Sequence, residues 1–146
     1  MKTTIILGIT GGIGSGKSYV TRIFNGLGIP AYDSDARTKQ LYREEPPLRE
    51  VLSGILGPDI FMNGEPDISK MASLIFNDTA LLKRINQAVH PYVVRDFLKW
   101  AYASQAPYVI FESAILLEMD PPFQATRVLT ISADRELRLC RVAGRD

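Results

Sequence analysis

Several residue types that mark large classes of protein are scarce in this sequence. Its 146 residues include one cysteine, Cys140, and one histidine, His90, which excludes an intrachain disulfide and a metal site built from several cysteines. The formal net charge is +1, and no basic patch is interleaved with aromatic residues, so we expect no nucleic-acid partner. No apolar run approaches the ~18 residues of a membrane span, and the N-terminus does not resemble a signal peptide. We therefore expect a cytoplasmic protein without membrane contact, and no feature indicates an oligomeric state.

What the sequence does contain is an alternation of short apolar segments and amphipathic ones. Four segments rich in β-branched and aromatic residues predict strands: TTIILGIT, IPAY, YVIFE and TRVLTI. Helical periodicity predominates between them, which predicts an α/β fold with a parallel sheet flanked by helices. The stretch between the second and third strands is long and mostly helical, and within it Pro91 is predicted to open a new helix.

This long helical stretch is predicted to be an insertion near the carboxyl ends of the strands, where open α/β sheets bind ligands. The sequence contains no repeat or linker. We therefore treat residues 1–146 as one domain, with a core of roughly residues 1–45 and 106–146. The helical insertion then covers roughly residues 46–105.

The strongest motif in the sequence follows the first predicted strand. Gly11 to Ser18 reads G-x-x-x-x-G-K-S and precedes a helical segment, which is the context that a P-loop requires. Its glycines allow main-chain N–H groups to surround a phosphate chain, and the following helix presents its positive end to the same anion. Lys17 is predicted to reach the β- and γ-phosphates and Ser18 to bind Mg²⁺. The predicted ATP-binding residues are Gly12, Ile13, Gly14, Ser15, Gly16, Lys17 and Ser18.

Acidic residues follow the second and third predicted strands. Asp33 and Asp35 lie in the segment YDSDA, where one carboxylate can accept a proton from an acceptor hydroxyl and the other can cap the next helix. Glu112 ends the third strand in the position of a Walker-B acid and is a candidate for holding a Mg²⁺-bound water. Glu118 follows a short apolar run. For both glutamates a solvated or helix-starting position is the alternative.

The remaining candidates are His90 and a series of arginines. His90 precedes Pro91, a position that also suits an ordinary helix-boundary residue. Arg135, Arg138 and Arg141 recur every three residues, so most of them are expected to be solvated. Arg145 follows Gly144 at the point where a small kinase begins its lid, and an arginine there can neutralise the charge of a transferring phosphate.

Taken together, these motifs resemble the dephospho-CoA kinases. The string LGITGGIGSGKS is similar to the P-loop of that family, and LGIPAYDSD is similar to its second-strand segment with an Asp-x-Asp. IFND before HP, LLE, and a final Arg-Asp follow in the same order, so the resemblance covers essentially the whole chain. It implies a P-loop NTPase fold and ATP-dependent phosphorylation of the ribose 3′-hydroxyl of dephospho-CoA, with Mg²⁺.

The resemblance also implies roles for particular residues. Asp35 would be the general base, while Thr10, Lys17 and Arg145 would stabilise the charge of the phosphoryl group. His90, Thr10 and the helical insertion would help to form the acceptor pocket. Replacing Asp33 or Asp35 by Asn would identify the base.

This chain departs from the family pattern in several places. Tyr19 stands where the family has a Thr, the segment Ala114–Leu117 replaces a Pro-Leu-Leu, and Ser69-Lys70 replaces an Asp-Arg pair. The sequence ends at Asp146, where the lid should begin, so we expect the C-terminal part of the fold to be missing and turnover to be slow or absent.

Two alternative functions remain at this point. One is another P-loop kinase, acting on nucleoside monophosphates or another small hydroxyl acceptor. The other is a nucleotide-binding fragment without catalysis.

Overall fold

The computed structural model describes residues 3–144. Their strands are β1 (Ile6–Thr10), β2 (Ala31–Asp33), β3 (Phe61–Met62), β4 (Glu65–Pro66), β5 (Val109–Glu112) and β6 (Arg127–Thr130). Their helices are α1 (Lys17–Gly26), α2 (Ser34–Glu44), α3 (Pro46–Leu56), α4 (Ile68–Ile75), α5 (Thr79–Ala103) and α6 (Arg135–Ala143). Short 3₁₀ helices cover Pro58–Ile60 and Leu116–Glu118. No helix among these residues is both long and apolar enough to cross a bilayer.

Four strands form a parallel sheet in the order β2-β5-β1-β6. All four residues of β5 are buried, because this strand lies between β2 and β1. A strand covered on both faces needs apolar residues on both, which explains the continuous apolar run from Val109 to Phe111. β6 lies at an edge of the sheet, and its four residues are exposed. The sheet and its flanking helices confirm the predicted α/β fold.

The residues form two compact units, one made of Met1–Asp35 with Phe97–Asp146 and the other of Ala36–Asp96. The first unit contains the sheet and a core around Ile9, Ile29 and Ile110. Fully burying each such side chain contributes roughly 1.5–3 kcal/mol. An aromatic cluster of Tyr32, Phe97, Trp100, Phe111 and Phe123 belongs to the same unit, with stacked, edge-on or tilted rings whose centroids lie 4.1–5.9 Å apart.

The second unit is mainly helical and buries Leu48, Leu52 and Ile60 completely. It also contains a small antiparallel hairpin, β3-β4, that periodicity did not predict. Asn63 and Gly64 form its turn, and both have a positive φ, 53° and 82°, as a two-residue hairpin turn requires. The Asn-Gly pair in the sequence predicts a turn, and the structure confirms it. The functional division into a core and an acceptor-binding insertion stays a prediction.

The sequence-based prediction was wrong about the helix at Pro91. No new helix begins there, because Pro91 lies inside the single 25-residue helix α5. Proline in a helix interior costs about 3 kcal/mol. Helix α5 nevertheless continues because it buries a stripe of side chains spaced by four residues: Ile85, Val89, Val93, Phe97 and Ala101. Burial of this stripe offsets the local cost of the proline.

Two helix boundaries differ from those that the sequence pattern predicts. The segment ARTKQLYRE predicts a helix from Ala36, whereas α2 begins at Ser34. The segment SKMASLIFND predicts a helix that extends to Asp78, whereas α4 ends at Ile75. The Asp78 carboxylate accepts a hydrogen bond from the main-chain N–H of Leu81. Asp78 therefore caps the start of α5 instead of extending α4.

We expect Pro91→Ala to raise the free energy of unfolding by about 1–3 kcal/mol, because alanine restores a main-chain donor inside a continuous helix. Urea unfolding followed by circular dichroism would measure the change. Lys99→Ala, at an exposed position of the same helix, is the matched control and should stay within about 0.5 kcal/mol. A loss of stability in Pro91→Ala would show that the proline itself supports the helix.

Candidate active site

The site is built where three parallel strands end side by side. The sheet register pairs Glu112 with Ile9 on one side and with Asp33 on the other. Thr10, the last residue of β1, follows Ile9 directly. This register brings the ends of β1, β2 and β5 to one edge of the sheet, where open α/β sheets bind their ligands.

The P-loop joins β1 to α1 at this edge. Gly14 and Gly16 have φ values of 75° and 104°, a left-handed conformation that glycine adopts without steric cost. Gly14 also has no space for a side chain, since a Cβ atom would lie 2.7 Å from the main-chain oxygen of Arg138. Helix α1 begins at Lys17, so its first main-chain N–H groups have no partner within the helix. Such a helix start is suited to bind phosphate.

Two polar side chains of this loop, those of Lys17 and Ser15, indicate that it fits a phosphate chain. The Lys17 ammonium donates to the main-chain oxygens of Gly11, at 2.7 Å, and Gly12, at 3.5 Å. The buried hydroxyl of Ser15 has no hydrogen-bond partner among the described residues. An unsatisfied buried hydroxyl is uncommon in proteins, and a phosphate oxygen would satisfy it. The donors of this loop therefore fit an anion.

A cavity of about 560 Å³ brings the loop together with the predicted acids. Lys17 and Ser18 line it together with Asp33, Asp35 and Glu112. Because α2 begins at Ser34, Asp33 flanks the helix and Asp35 lies in its first turn. Both carboxyl groups are exposed enough to receive a ligand. The structure thus places a phosphate-binding loop and two candidate bases around one space.

Glu112 is buried and is held by the helix that follows the P-loop. The Thr21 hydroxyl lies 3.0 Å from one Glu112 carboxylate oxygen and 2.9 Å from the main-chain oxygen of Lys17. Burial raises the pKa of Glu112, and the negative charges of Asp33 and Asp35 raise it further, against the hydrogen bond from Thr21 and the charge of Lys17. Thr21 was not singled out from the sequence, because a threonine four residues after Lys17 reads as an ordinary helix residue.

The arginines of α6 meet the P-loop, which the sequence did not predict. One terminal nitrogen of Arg141 donates to the main-chain oxygen of Gly14 at 2.9 Å, and Arg141 lines the cavity. The main chain of Arg138 packs against Gly14, and its Nε atom is buried. The expectation that most of these arginines are solvated is confirmed for Arg135 and Arg141, which are exposed, whereas Arg138 is half-buried. The spacing of three residues was the only sequence signal for these arginines. It does not predict their contact with a loop that is more than 100 residues away in sequence.

Other candidates lie outside the cavity lining. The Thr10 hydroxyl is buried and donates to the main-chain oxygen of Ala114 at 3.4 Å. Gly12 is exposed at the loop, and Glu118 is exposed at the end of a 3₁₀ helix. His90 lies on α5 in the second compact unit. Arg145 lies outside the described residues, so its predicted role stays a prediction.

A parallel sheet with a P-loop, a lysine and several acids at its carboxyl edge defines the class of P-loop kinases. The family model for dephospho-CoA kinase matches residues 5–146. A dephospho-CoA kinase of Porphyromonas gingivalis is 40% identical over 97% of this chain and 70% of its own length. The chain therefore belongs to the dephospho-CoA kinase family, whose enzymes transfer a phosphoryl group from ATP to dephospho-CoA in coenzyme A biosynthesis.

Two solved structures share this fold. A protein of Thermus thermophilus is 34% identical, with a TM-score of 0.82 over 99% of this chain and 74% of its own. A dephospho-CoA kinase of Campylobacter jejuni is 14% identical, with a TM-score of 0.56 over 97% of this chain and 96% of its own. The second comparison supports the fold alone. Both agree with the predicted P-loop fold.

We expect Gly14→Ala to weaken ATP binding by at least about 10-fold, because the added methyl group would displace either the P-loop or the main chain of Arg138. Titration with a fluorescent ATP analogue would measure the change. Gly26→Ala is the matched control, since a Cβ atom there meets nothing within 4 Å. Equal affinity in the two variants would contradict the assigned loop geometry.

We also expect stability to depend on pH through His90. Burial lowers the pKa of His90, and its Nδ1 atom is buried with no hydrogen-bond partner in the described part of the chain. A histidine with a lowered pKa contributes stability above its unfolded pKa of about 6.5, and this contribution is lost as pH falls through the folded pKa. Urea unfolding at pH 7.5 and pH 5 should show a larger loss for the wild type than for His90→Gln. Equal losses would contradict this assignment.

Proposed function

We propose that this chain phosphorylates the 3′-hydroxyl of the ribose of dephospho-CoA, with Asp35 as the general base. The observation that carries this proposal is the single cavity lined by both the P-loop and the first turn of α2. A donor phosphate bound at the loop and an acceptor hydroxyl at Asp35 then share one space. Positioning of this kind is the main requirement of phosphoryl transfer.

The P-loop residues bind the phosphates of ATP. Main-chain N–H groups around Gly14 and Gly16 face the phosphate oxygens, and the Ser15 hydroxyl gains a partner there. When ATP binds, the Lys17 ammonium leaves the main-chain oxygens of Gly11 and Gly12 and binds the β- and γ-phosphates. Its positive charge there stabilises the transferring group. Arg141, already bonded to the loop at Gly14, adds a second positive charge beside it. Arg145 would add a third.

Asp35 acts on the acceptor. In the first turn of α2 its carboxylate accepts the proton of the attacking 3′-hydroxyl as the new phosphorus–oxygen bond forms. The bond between the γ-phosphorus and the oxygen bridging to the β-phosphate breaks in the same transfer, and ADP leaves. Asp33 then serves mainly to hold the strand-to-helix turn, since it occupies the flanking position of α2. His90, Thr10 and the helical insertion are proposed to contact the acceptor. We also propose a cytoplasmic location.

Mg²⁺ fits the donor set on chemical grounds. No cluster of three or more His, Cys, Asp or Glu side chains within residues 3–144 is arranged to bind a metal by itself. Mg²⁺ in kinases is held by one or two protein oxygens together with substrate phosphates and waters. Ser18 would bind the ion directly, and Glu112 would hold one of its waters. When bound, the ion neutralises charge on the β- and γ-phosphates.

The test is ADP release by the purified chain with ATP and Mg²⁺, comparing dephospho-CoA with AMP, adenosine and no acceptor. We expect ADP release to depend on dephospho-CoA. In the same assay Asp35→Asn should lower kcat at least 100-fold, while Asp33→Asn, its matched control two residues away, should lower it less. A larger loss in Asp33→Asn would reverse the assignment of the base. ADP release with AMP instead would favour a nucleoside monophosphate kinase.

A further inference from the structure

Arg37 makes several side-chain hydrogen bonds and is not used by the proposed reaction. Its Nε and Nη2 atoms donate to the two carboxylate oxygens of Asp96 at 2.8 and 2.9 Å. Nη1 donates to Gln40 at 2.9 Å and to Glu44 at 3.0 Å, and Nη2 also lies 2.8 Å from the second carboxylate oxygen of Glu44. All five N–H donors of the guanidinium therefore have acceptors.

The Arg37–Asp96 pair is stronger than an ordinary surface ion pair. The side chains of Arg37 and Asp96 are only 27% and 24% exposed, so water screens the charges less than at the surface. The bidentate geometry matches the planar fork of arginine to the carboxylate. These hydrogen bonds, first the one to Asp96 and then the one to Glu44, raise the pKa of Arg37. The contact is thus specific as well as favourable.

The position of this pair in the chain relates it to the proposed base. Arg37 lies on α2 two residues after Asp35, and Asp96 lies on α5. The pair lies within the second compact unit, which runs from Ala36 to Asp96. Its two members are therefore almost the first and last residues of that unit, and one of them shares the first turns of α2 with Asp35.

The Arg37–Asp96 pair is one anchor of α2 on α5, and a second anchor is formed by Tyr32, which precedes Asp35 in the chain. Within the first unit, the ring of Tyr32 contacts the rings of Phe97 and Trp100, with centroids 5.3 and 5.5 Å apart. The segment Asp33–Ala36 thus lies between two anchored residues, Tyr32 and Arg37. Both anchors use side chains from residues 96–100 of the same helix.

We propose that Arg37, through its pair with Asp96, is a positioning residue that orders the first turn of α2 and thereby orients Asp35. The inference rests on the proposed role of Asp35. Arg37 does not touch the reacting atoms, so its effect should reach catalysis only through Asp35. A base that is displaced by about 1 Å can lower the rate by about 100-fold, so an anchor two residues away has a measurable effect.

The test compares Arg37→Gln and Arg37→Lys with Arg43→Gln. Arg43 is the matched control, because it also lies on α2 and forms an ion pair with Glu65 at 2.6 Å, but its side chain is 47% exposed. We expect Arg37→Gln to lower kcat roughly 10- to 100-fold, with the dissociation constant for ATP unchanged within about twofold. Arg37→Lys should recover part of the loss, because lysine keeps the charge but not the fork. Arg43→Gln should behave as the wild type.

Two further measurements separate positioning from a general loss of folding. Fluorescence of Trp100, the only tryptophan, should be unchanged in Arg37→Gln if the aromatic anchor is intact. Amide hydrogen exchange should become faster in residues 33–38 and stay unchanged in the P-loop. Unchanged exchange in residues 33–38 would overturn the proposal, as would a parallel loss of ATP binding and kcat. Failure of the wild type itself to phosphorylate dephospho-CoA would instead overturn the proposed function, and exchange would still decide whether Arg37 orders this turn.

Discussion

The register between β5 and its two neighbours is the constraint on which the site depends. Pairing Glu112 with both Ile9 and Asp33 requires the strands that carry the P-loop and the Asp-Ser-Asp segment to end at the same level. A shift of β5 by one residue would break the pairing of Glu112 with Ile9 and Asp33 and would turn its carboxyl group towards the opposite face of the sheet. The register of β5 therefore decides whether the ends of the three strands form one site.

The cavity lining contains equal numbers of basic and acidic side chains, and its acids differ in their exposure to solvent. Lys17, Arg22 and Arg141 line it together with three acids, Asp33, Asp35 and Glu112. Burial raises the pKa of Glu112, whereas Asp33 and Asp35 are exposed. Acids in such different surroundings are suited to different tasks. A buried glutamate held by Thr21 suits a fixed place near a metal ion, and an exposed aspartate suits contact with an acceptor that must enter and leave.

Much of the fold was predictable because the signals for it are local. Short β-branched runs and helical periodicity predicted the four sheet strands and most helices, and the flanks of the P-loop predicted its place between β1 and α1. Helix α5 was divided wrongly at Pro91, because local propensity does not include the stripe from Ile85 to Ala101 that is buried by tertiary packing. The β3-β4 hairpin was missed because two-residue strands show no periodicity.

The sequence by itself determined the chemistry available to this protein. The string GITGGIGSGKS specifies a phosphate-binding turn through local conformation alone, since glycine and the helix start act within one short segment. Tertiary structure alone decided which other residues join it. Three hydrogen bonds join positions that are far apart in sequence: Arg141 to Gly14, Thr21 to Glu112 and Arg37 to Asp96, with separations of 127, 91 and 59 residues. Such contacts follow from the packing of helices on a sheet of defined register, and no local pattern encodes them.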